Sequence, residues 1–299
     1  MQFDTPRDFT ETPAESDSRA QPIRISLEAV AYLAILVFAL VLRLAELDTT
    51  PLMPGETHNA LAAWRVIMPN APGEQLIATS PLLFALQSLS FSLFGASEFT
   101  ARLATVIAGV ALVLSPLLFR SLLGSGRAFL LSVLLAFSPV LLTASRASSP
   151  DVWALLLAAL SLWGFWQAER SSRYALLAVI SFAALAFLVG TGGLLLALIL
   201  LIAGALTAVW RRTALLSDED EISTGAWAAL RTSLRLALPV AALVVLVVST
   251  GFMLYPAGLS AVGEVLGGAV RALLQPTGTG GYAALVSVFY EPGLWLFAI

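Results

Sequence analysis

Seven apolar runs, each close to the thickness of a bilayer's hydrocarbon core, decide what this chain is able to fold into. They cover residues 25–45, 99–119, 128–145, 151–168, 174–190, 193–210 and 236–255. About 18–20 apolar residues suffice for a helix to cross a membrane. A spanning segment in lipid must satisfy its own backbone polar groups, which a helix does internally. An eighth run opens near 284 and is still apolar at Ile299. The chain is therefore expected to stop inside or at a membrane segment, as a naturally short protein or as a fragment of something longer. The expected fold is all-α, a polytopic transmembrane helix bundle of seven to eight spans. Composition agrees: 59% of the 299 residues are hydrophobic and 12% are charged, about half the charge of a soluble domain.

Composition also excludes some chemistry. With no cysteine there are no disulfides and no Cys-ligated metals. The net charge is −3 and no basic stripe is present, so a nucleic-acid partner is not expected. The first 24 residues are polar and carry Pro6, Pro13 and Pro22, the composition of a disordered tail. No signal-peptide pattern precedes the first run, so that run stays as a membrane helix.

Residues Pro81 to Phe94 are apolar but only fourteen long, short for a span and suited to an interfacial or re-entrant helix. The positive-inside rule decides between these readings. If the stretch does not cross and the N-terminus is cytoplasmic, eleven arginines lie inside. Only Arg65, Arg102, Arg146 and Arg271 lie outside. If it crosses, the balance falls to six inside against nine outside. The stretch is therefore placed on the outer surface.

The transmembrane domain is thus expected over 25–299, with an outer loop at 46–98, an inner loop at 211–235 and an outer loop at 256–283. Within the first outer loop, 57–68 has an amphipathic pattern. Leu61, Trp64, Ile67 and Met68 share one face, and His58, Asn59 and Arg65 share the polar side. Such a helix is expected to lie flat at the interface. The inner loop carries an acidic run, Asp218 to Glu221, read as solvated and irregular. In the last loop, the apolar residues from Leu259 to Leu274 keep helical spacing, and the Gly/Thr-rich stretch after Gln275 reads as flexible. Arg43 is the one charge near the interior of a span, where a long side chain snorkels toward the interface.

Two carboxylates at the outer boundary stand out. Glu56 lies in PLMPGETHNA and Asp151 in SRASSPDVW, each at the start of a helical pattern. Helix capping accounts for both, since free N–H groups and the dipole favour an acid there. The functional alternative requires the two loops to meet. One carboxylate then acts as general base toward an acceptor hydroxyl. The second positions the acceptor or holds a divalent cation, which prefers oxygen ligands. Arg146 is a candidate phosphate-binding residue, with an interfacial snorkelling role as the alternative. His58, the only histidine, is either a substrate-binding residue or an exposed residue on the polar side.

The segments LRLAELDTTPLMPGETHNA, SPLLFALQSLSFSLFGASEFTARLATVIAG and SPVLLTASRASSPDVWALLLAAL resemble the N-terminal half of GT-C membrane glycosyltransferases. The similar group is the protein mannosyltransferase and aminoarabinose transferase type, and VFYEPGLWLF is also similar to part of it. The resemblance implies a GT-C-like bundle whose long first outer loop carries an Asp-Glu pair and two surface helices. It implies transfer of a sugar from a polyprenyl-phosphate carrier to an acceptor on the outer face, generally with inversion. The family's pair falls on Gly55 and Glu56, so the Asp, which the resemblance makes the catalytic base, is missing here. The second acidic motif falls on Asp151.

Three functions follow as expectations. The leading one is a glycosyltransferase of the plasma membrane with a cytoplasmic N-terminus and a polyprenyl-phosphate sugar donor. Its catalytic residues would be Glu56 and Asp151, and Arg146 and His58 would bind substrate. No cofactor is expected beyond a divalent cation. The second is an inactive or truncated GT-C relative that serves as a structural subunit of a membrane complex. The third is a transporter or lipid flippase, against which the scarcity of charge in the spans argues.

Overall fold

The structure, a computed structural model, describes residues 27–68, 70, 76–168, 170–214, 221–253 and 255–274, and for 211–233 and 257 the backbone alone. The polar tail, the Gly/Thr-rich stretch after Gln275, the eighth apolar run and residues 218–220 lie outside the described residues.

Every described element is helical. Helix α1 (Leu27–Leu44) is followed by α2 (Pro54–Ile67), α3 (Pro81–Phe94) and α4 (Glu98–Leu114). A 3₁₀ segment, Ser115–Phe119, leads into the short α5 (Arg120–Leu123). Then come α6 (Ser125–Phe137), α7 (Pro139–Arg146), α8 (Asp151–Gln167) and α9 (Ser172–Phe187). The described chain closes with α10 (Thr191–Ala214), α11 (Glu221–Ser249) and α12 (Leu259–Leu274).

Local chemistry sets the boundaries. Ser80 caps α3 by accepting from the Leu83 N–H, Pro81 takes the first position, and Gly95 at φ +83° ends the helix. These are the residues that helix starts and stops favour. Ser97 and Thr100 form a reciprocal capping box at the start of α4. Gly190, at φ +121°, allows the sharp turn between α9 and α10.

Two expectations change. The run 128–145 is a bent pair, with α6 and α7 meeting at 58°. Pro139 has no N–H to continue α6, and Ser138 accepts from the Leu141 N–H to start α7 afresh. The stretch 211–235, expected as an inner loop, is helical over most of its described residues: α10 continues to Ala214 and α11 starts at Glu221. Of the acidic run read as irregular, Asp218 to Glu221, only Glu221 is described, and it opens α11.

Among the described residues, three helices are long and apolar enough to cross a membrane: Leu27–Leu44, Glu98–Leu123 and Thr191–Trp210. The α6–α7 pair makes a fourth if counted as one broken span. Shorter apolar helices occupy Pro81–Phe94, Asp151–Gln167, Ser172–Phe187 and Leu234–Ser249. At about 1.5 Å per residue the 17 residues of α8 reach about 25 Å, slightly under the hydrocarbon thickness of about 30 Å.

Side-chain size sorts in the manner of a membrane bundle. Small residues face the helix contacts, while Leu33, Val37, Val41, Ile199, Ile202 and Leu206 point outward. Lipid solvates large apolar side chains well, so close packing of small residues is what draws helices together there. Gly164 on α8 shows it: a Cβ at that position would lie 2.9 Å from the backbone of both Tyr174 and Ala178 on α9.

Arg43 does not snorkel. It is only 1% exposed, and its Nη1 donates to Ala39 O of its own helix at 3.3 Å. Gly109 of α4 makes room for it: a Cβ there would come within 3.1 Å of Arg43 Nε.

Candidate functional site

The site starts from a loop with little regular structure, residues 45–53, which needs outside partners for its carbonyls. Arg102 of α4 provides them. Its Nη1 donates to Leu47 O at 2.8 Å and to Thr50 O at 2.9 Å, and its Nη2 donates to Pro51 O at 3.2 Å. The same Nη2 reaches Glu56 Oε2 at 3.0 Å, and Nε reaches Oε1 at 3.4 Å. Both side chains are buried, Arg102 at 4% and Glu56 at 6% exposure. A planar guanidinium with five donors is suited to this fork of carbonyls and carboxylate.

Glu56 sits in the first turn of α2. Its Oε2 accepts the Met53 N–H at 2.8 Å, which closes the start of the helix. Its Oε1 accepts the N–H of Ser148, in the loop between α7 and α8. The loops bearing Glu56 and Asp151 therefore touch. Burial alone would raise the Glu56 pKa. The hydrogen bonds from Arg102, Met53 and Ser148, with the Arg102 charge, outweigh it and hold the carboxyl below its ordinary value of 4.5. Glu56 is thus an ionised, fully engaged carboxylate and a poor proton acceptor near neutral pH.

Asp151 is different. It opens α8, is exposed, and its Oδ2 accepts from Ser149 Oγ at 2.7 Å. Its own N–H donates to the same hydroxyl at 3.2 Å. Oδ1 faces the start of α10, where a Cβ on Gly192 would stand 3.9 Å away. Arg146, half-buried at the end of α7, donates from Nη1 to Leu42 O in the last turn of α1 at 2.7 Å. That contact satisfies a carbonyl left open by the end of α1.

His58 is half-buried, and its Nε2 lies 2.8 Å from Ile77 O. The carbonyl requires the tautomer with hydrogen on Nε2. The side that α2 buries in the bundle is not its apolar one. Glu56, Asn59, Ala60 and Ala63 are buried, while Leu61, Trp64 and Ile67 are half-buried and Met68 is exposed. The reason is polar satisfaction: Asn59 Oδ1 accepts the N–H groups of Thr79 at 3.0 Å and Ser80 at 3.3 Å. Those bonds stitch α2 to the segment before α3. Beside them lies a cavity of about 290 Å³, lined by Leu76, Ile77, Phe84, Tyr255 and Ala261 among others.

Of the four residues singled out in the sequence, Glu56 and the Asp151 loop are brought together. Arg146 ends the helix that leads into that loop, and His58 is one turn further along α2 from Glu56. Arg102 was missed as a site residue. Its only sequence signal was its place among the few arginines on the expected outer side. Among the described residues no three His, Asp or Glu side chains gather as a metal site.

An all-helical bundle with large apolar residues outward and a buried carboxylate–guanidinium pair at one end defines an integral membrane protein with a polar site outside its apolar core. Residues 78–249 match the family model described as dolichyl-phosphate-mannose-protein mannosyltransferase, more than half of the chain. The chain belongs to that family of GT-C membrane glycosyltransferases. Its fold is similar to that of a crystal structure of ArnT from Cupriavidus metallidurans bound to undecaprenyl phosphate, with a TM-score of 0.54 at 19% identity. The match covers 88% of this chain and 50% of that one, so the chain spans about half the length of ArnT. No curated protein matches the sequence.

Proposed function

We propose that this chain is a glycosyltransferase of the plasma membrane that transfers a sugar from a polyprenyl-phosphate donor to an acceptor on the outer face, with its N-terminus cytoplasmic. The observation that carries the reading is the Ser148 N–H bond to Glu56, which ties the long first loop to the loop that presents Asp151. Family membership supports the chemistry, and the ArnT structure with undecaprenyl phosphate supports a lipid phosphate as the donor's leaving group.

The two carboxylates divide the work. Asp151 is the exposed oxygen base: it takes the proton of the acceptor hydroxyl as that oxygen bonds to the anomeric carbon and the bond to phosphate breaks. The polyprenyl phosphate leaves, and the sugar inverts. Glu56 is a positioning residue that fixes the loop before Asp151. Arg146, whose Nη1 is engaged by Leu42 O, is the residue assigned to the donor phosphate through its remaining guanidinium donors, and His58 is assigned to substrate binding. The test is sugar transfer by the purified chain from a polyprenyl-phosphate sugar pool to acceptor-bearing membranes. Asp151→Asn abolishes transfer if this assignment holds.

A second reading is a catalytically silent relative that scaffolds a membrane complex. The observation favouring it is Gly55 beside a Glu56 whose oxygens are all engaged. Wild-type protein that transfers no sugar yet co-purifies with stable partner subunits establishes this reading instead.

A further inference from the structure

Helix α3 has no charged residue and no place in the chemistry above, yet it buries a glutamine completely. Gln87 is 0% exposed. Its Nε2 donates to Ser148 Oγ at 2.6 Å and to Ala101 O at 3.1 Å. Ala101 O accepts only, so the amide orientation is fixed with nitrogen toward α4. Ser148 Oγ in turn donates to the same Ala101 O at 3.2 Å. Ser148 is therefore held twice: its N–H by Glu56 and its hydroxyl by Gln87 and Ala101. Burying a primary amide is costly unless its groups are bonded; here only the nitrogen is bonded and Oε1 is buried without a partner among the described residues, a cost that a leucine in an apolar helix contact would avoid. The burial is explained if the loop needs the amide.

We infer that Gln87 is a positioning residue that sets the 147–150 loop, and through it Asp151, from the surface helix α3. This rests on the reading of Asp151 as the working carboxylate, but the linkage itself is independent of turnover. It makes α3 a lever: displacing α3 pulls on Ser148, three residues before Asp151, while Glu56 and Arg102 hold the other side.

The experiment is amide hydrogen exchange on the full chain in detergent or nanodiscs, without substrate, comparing wild type, Gln87→Leu and Gln87→Glu. Gln87→Leu is expected to raise exchange in the peptide covering 147–151 by about tenfold, the loss of one or two hydrogen bonds. Amides in α9 stay as protected as in wild type. Gln87→Glu separates positioning from bulk packing. A buried carboxyl near anionic Glu56 is protonated in mild acid, and its single O–H then donates to Ser148 Oγ, one of the two bonds that the amide makes. Loop protection, corrected for intrinsic rate, is expected to match wild type near pH 5 and Gln87→Leu near pH 8. The inference is overturned if Gln87→Leu leaves the loop as protected as wild type. It is also overturned if Gln87→Leu loosens α9 equally, or if Gln87→Glu shows no difference between the two pH values. Absence of sugar transfer by the wild type refutes the functional reading alone and leaves this measurement intact.

Discussion

Glu56 Oε2 lies 3.0 Å from Arg102 Nη2, across 46 residues of sequence, with both side chains buried. The pair joins the first turn of α2 to α4 and, through the other Arg102 nitrogens, gathers the carbonyls of Leu47, Thr50 and Pro51. Removing the guanidinium leaves a buried carboxylate and three carbonyls without their donor. Arg102→Met is expected to destabilise the protein by about 3–5 kcal/mol, the cost of breaking a buried pair from one side. Thermal unfolding in detergent measures it, with limited proteolysis of residues 45–56 as the local readout. Arg102→Lys is expected to recover only part, because a single ammonium does not span the fork.

The same pair sets a pH dependence. Glu56 has a folded-state pKa below its ordinary value of 4.5. A depressed carboxyl contributes stability that is fully present above the unfolded pKa and is lost as pH falls through the folded one. Loop stability is therefore expected to hold from neutral pH down to about 4.5 and to decline below it. Glu56→Gln flattens that decline. A stability profile from pH 7 to pH 3 for both proteins checks the sign.

Helix contact through glycine gives a prediction away from the site. A Cβ on Gly164 meets backbone of α9, which is unable to move aside as a side chain does. Gly164→Ala is expected to cost about 1–3 kcal/mol by overpacking. Gly204 on α10 has nothing within 4 Å of a built Cβ, and Gly204→Ala is expected to be neutral or slightly stabilising. Paired melting curves of the two variants distinguish local crowding from a general effect of glycine loss.

The proposed orientation is open to chemical labelling. Ser125 and Thr57 are both exposed, at the start of α6 and in the first turn of α2. With the N-terminus cytoplasmic and α3 on the outer surface, a cysteine at Ser125 is reached only from the cytoplasmic side. A cysteine at Thr57 is reached by an impermeant reagent on intact cells. Labelling of Ser125→Cys from outside contradicts the orientation.

Much of this fold was legible because punctuation and hydropathy agree. The stretch 81–94 coincides with α3 since Pro81 and Gly95 mark its ends in the sequence itself. The bend within the run 128–145 was not legible because its hydropathy is unbroken across Pro139, while the missing N–H acts on the backbone. On α2, the amphipathic pattern says nothing of what its polar side meets, because Asn59 and Glu56 are buried by partners far away in sequence. The site was half legible. Glu56 and Asp151 stand out as boundary acids, and the resemblance marks the same positions. Nothing in spacing announces that Arg102 occupies Glu56, or that Gln87 and Glu56 share Ser148. Those facts are tertiary, and the proposed division of work between Asp151 and Glu56 rests on them.

The most direct test of the account compares Asp151→Asn with wild type in the polyprenyl-phosphate sugar transfer assay, with melting temperature recorded for each. Asparagine caps a helix about as well as aspartate but is no base. The account predicts transfer by the wild type, a loss of about 10²–10⁴-fold in rate for Asp151→Asn, and an unchanged melting temperature. Equal transfer by wild type and Asp151→Asn, or none by either, contradicts it.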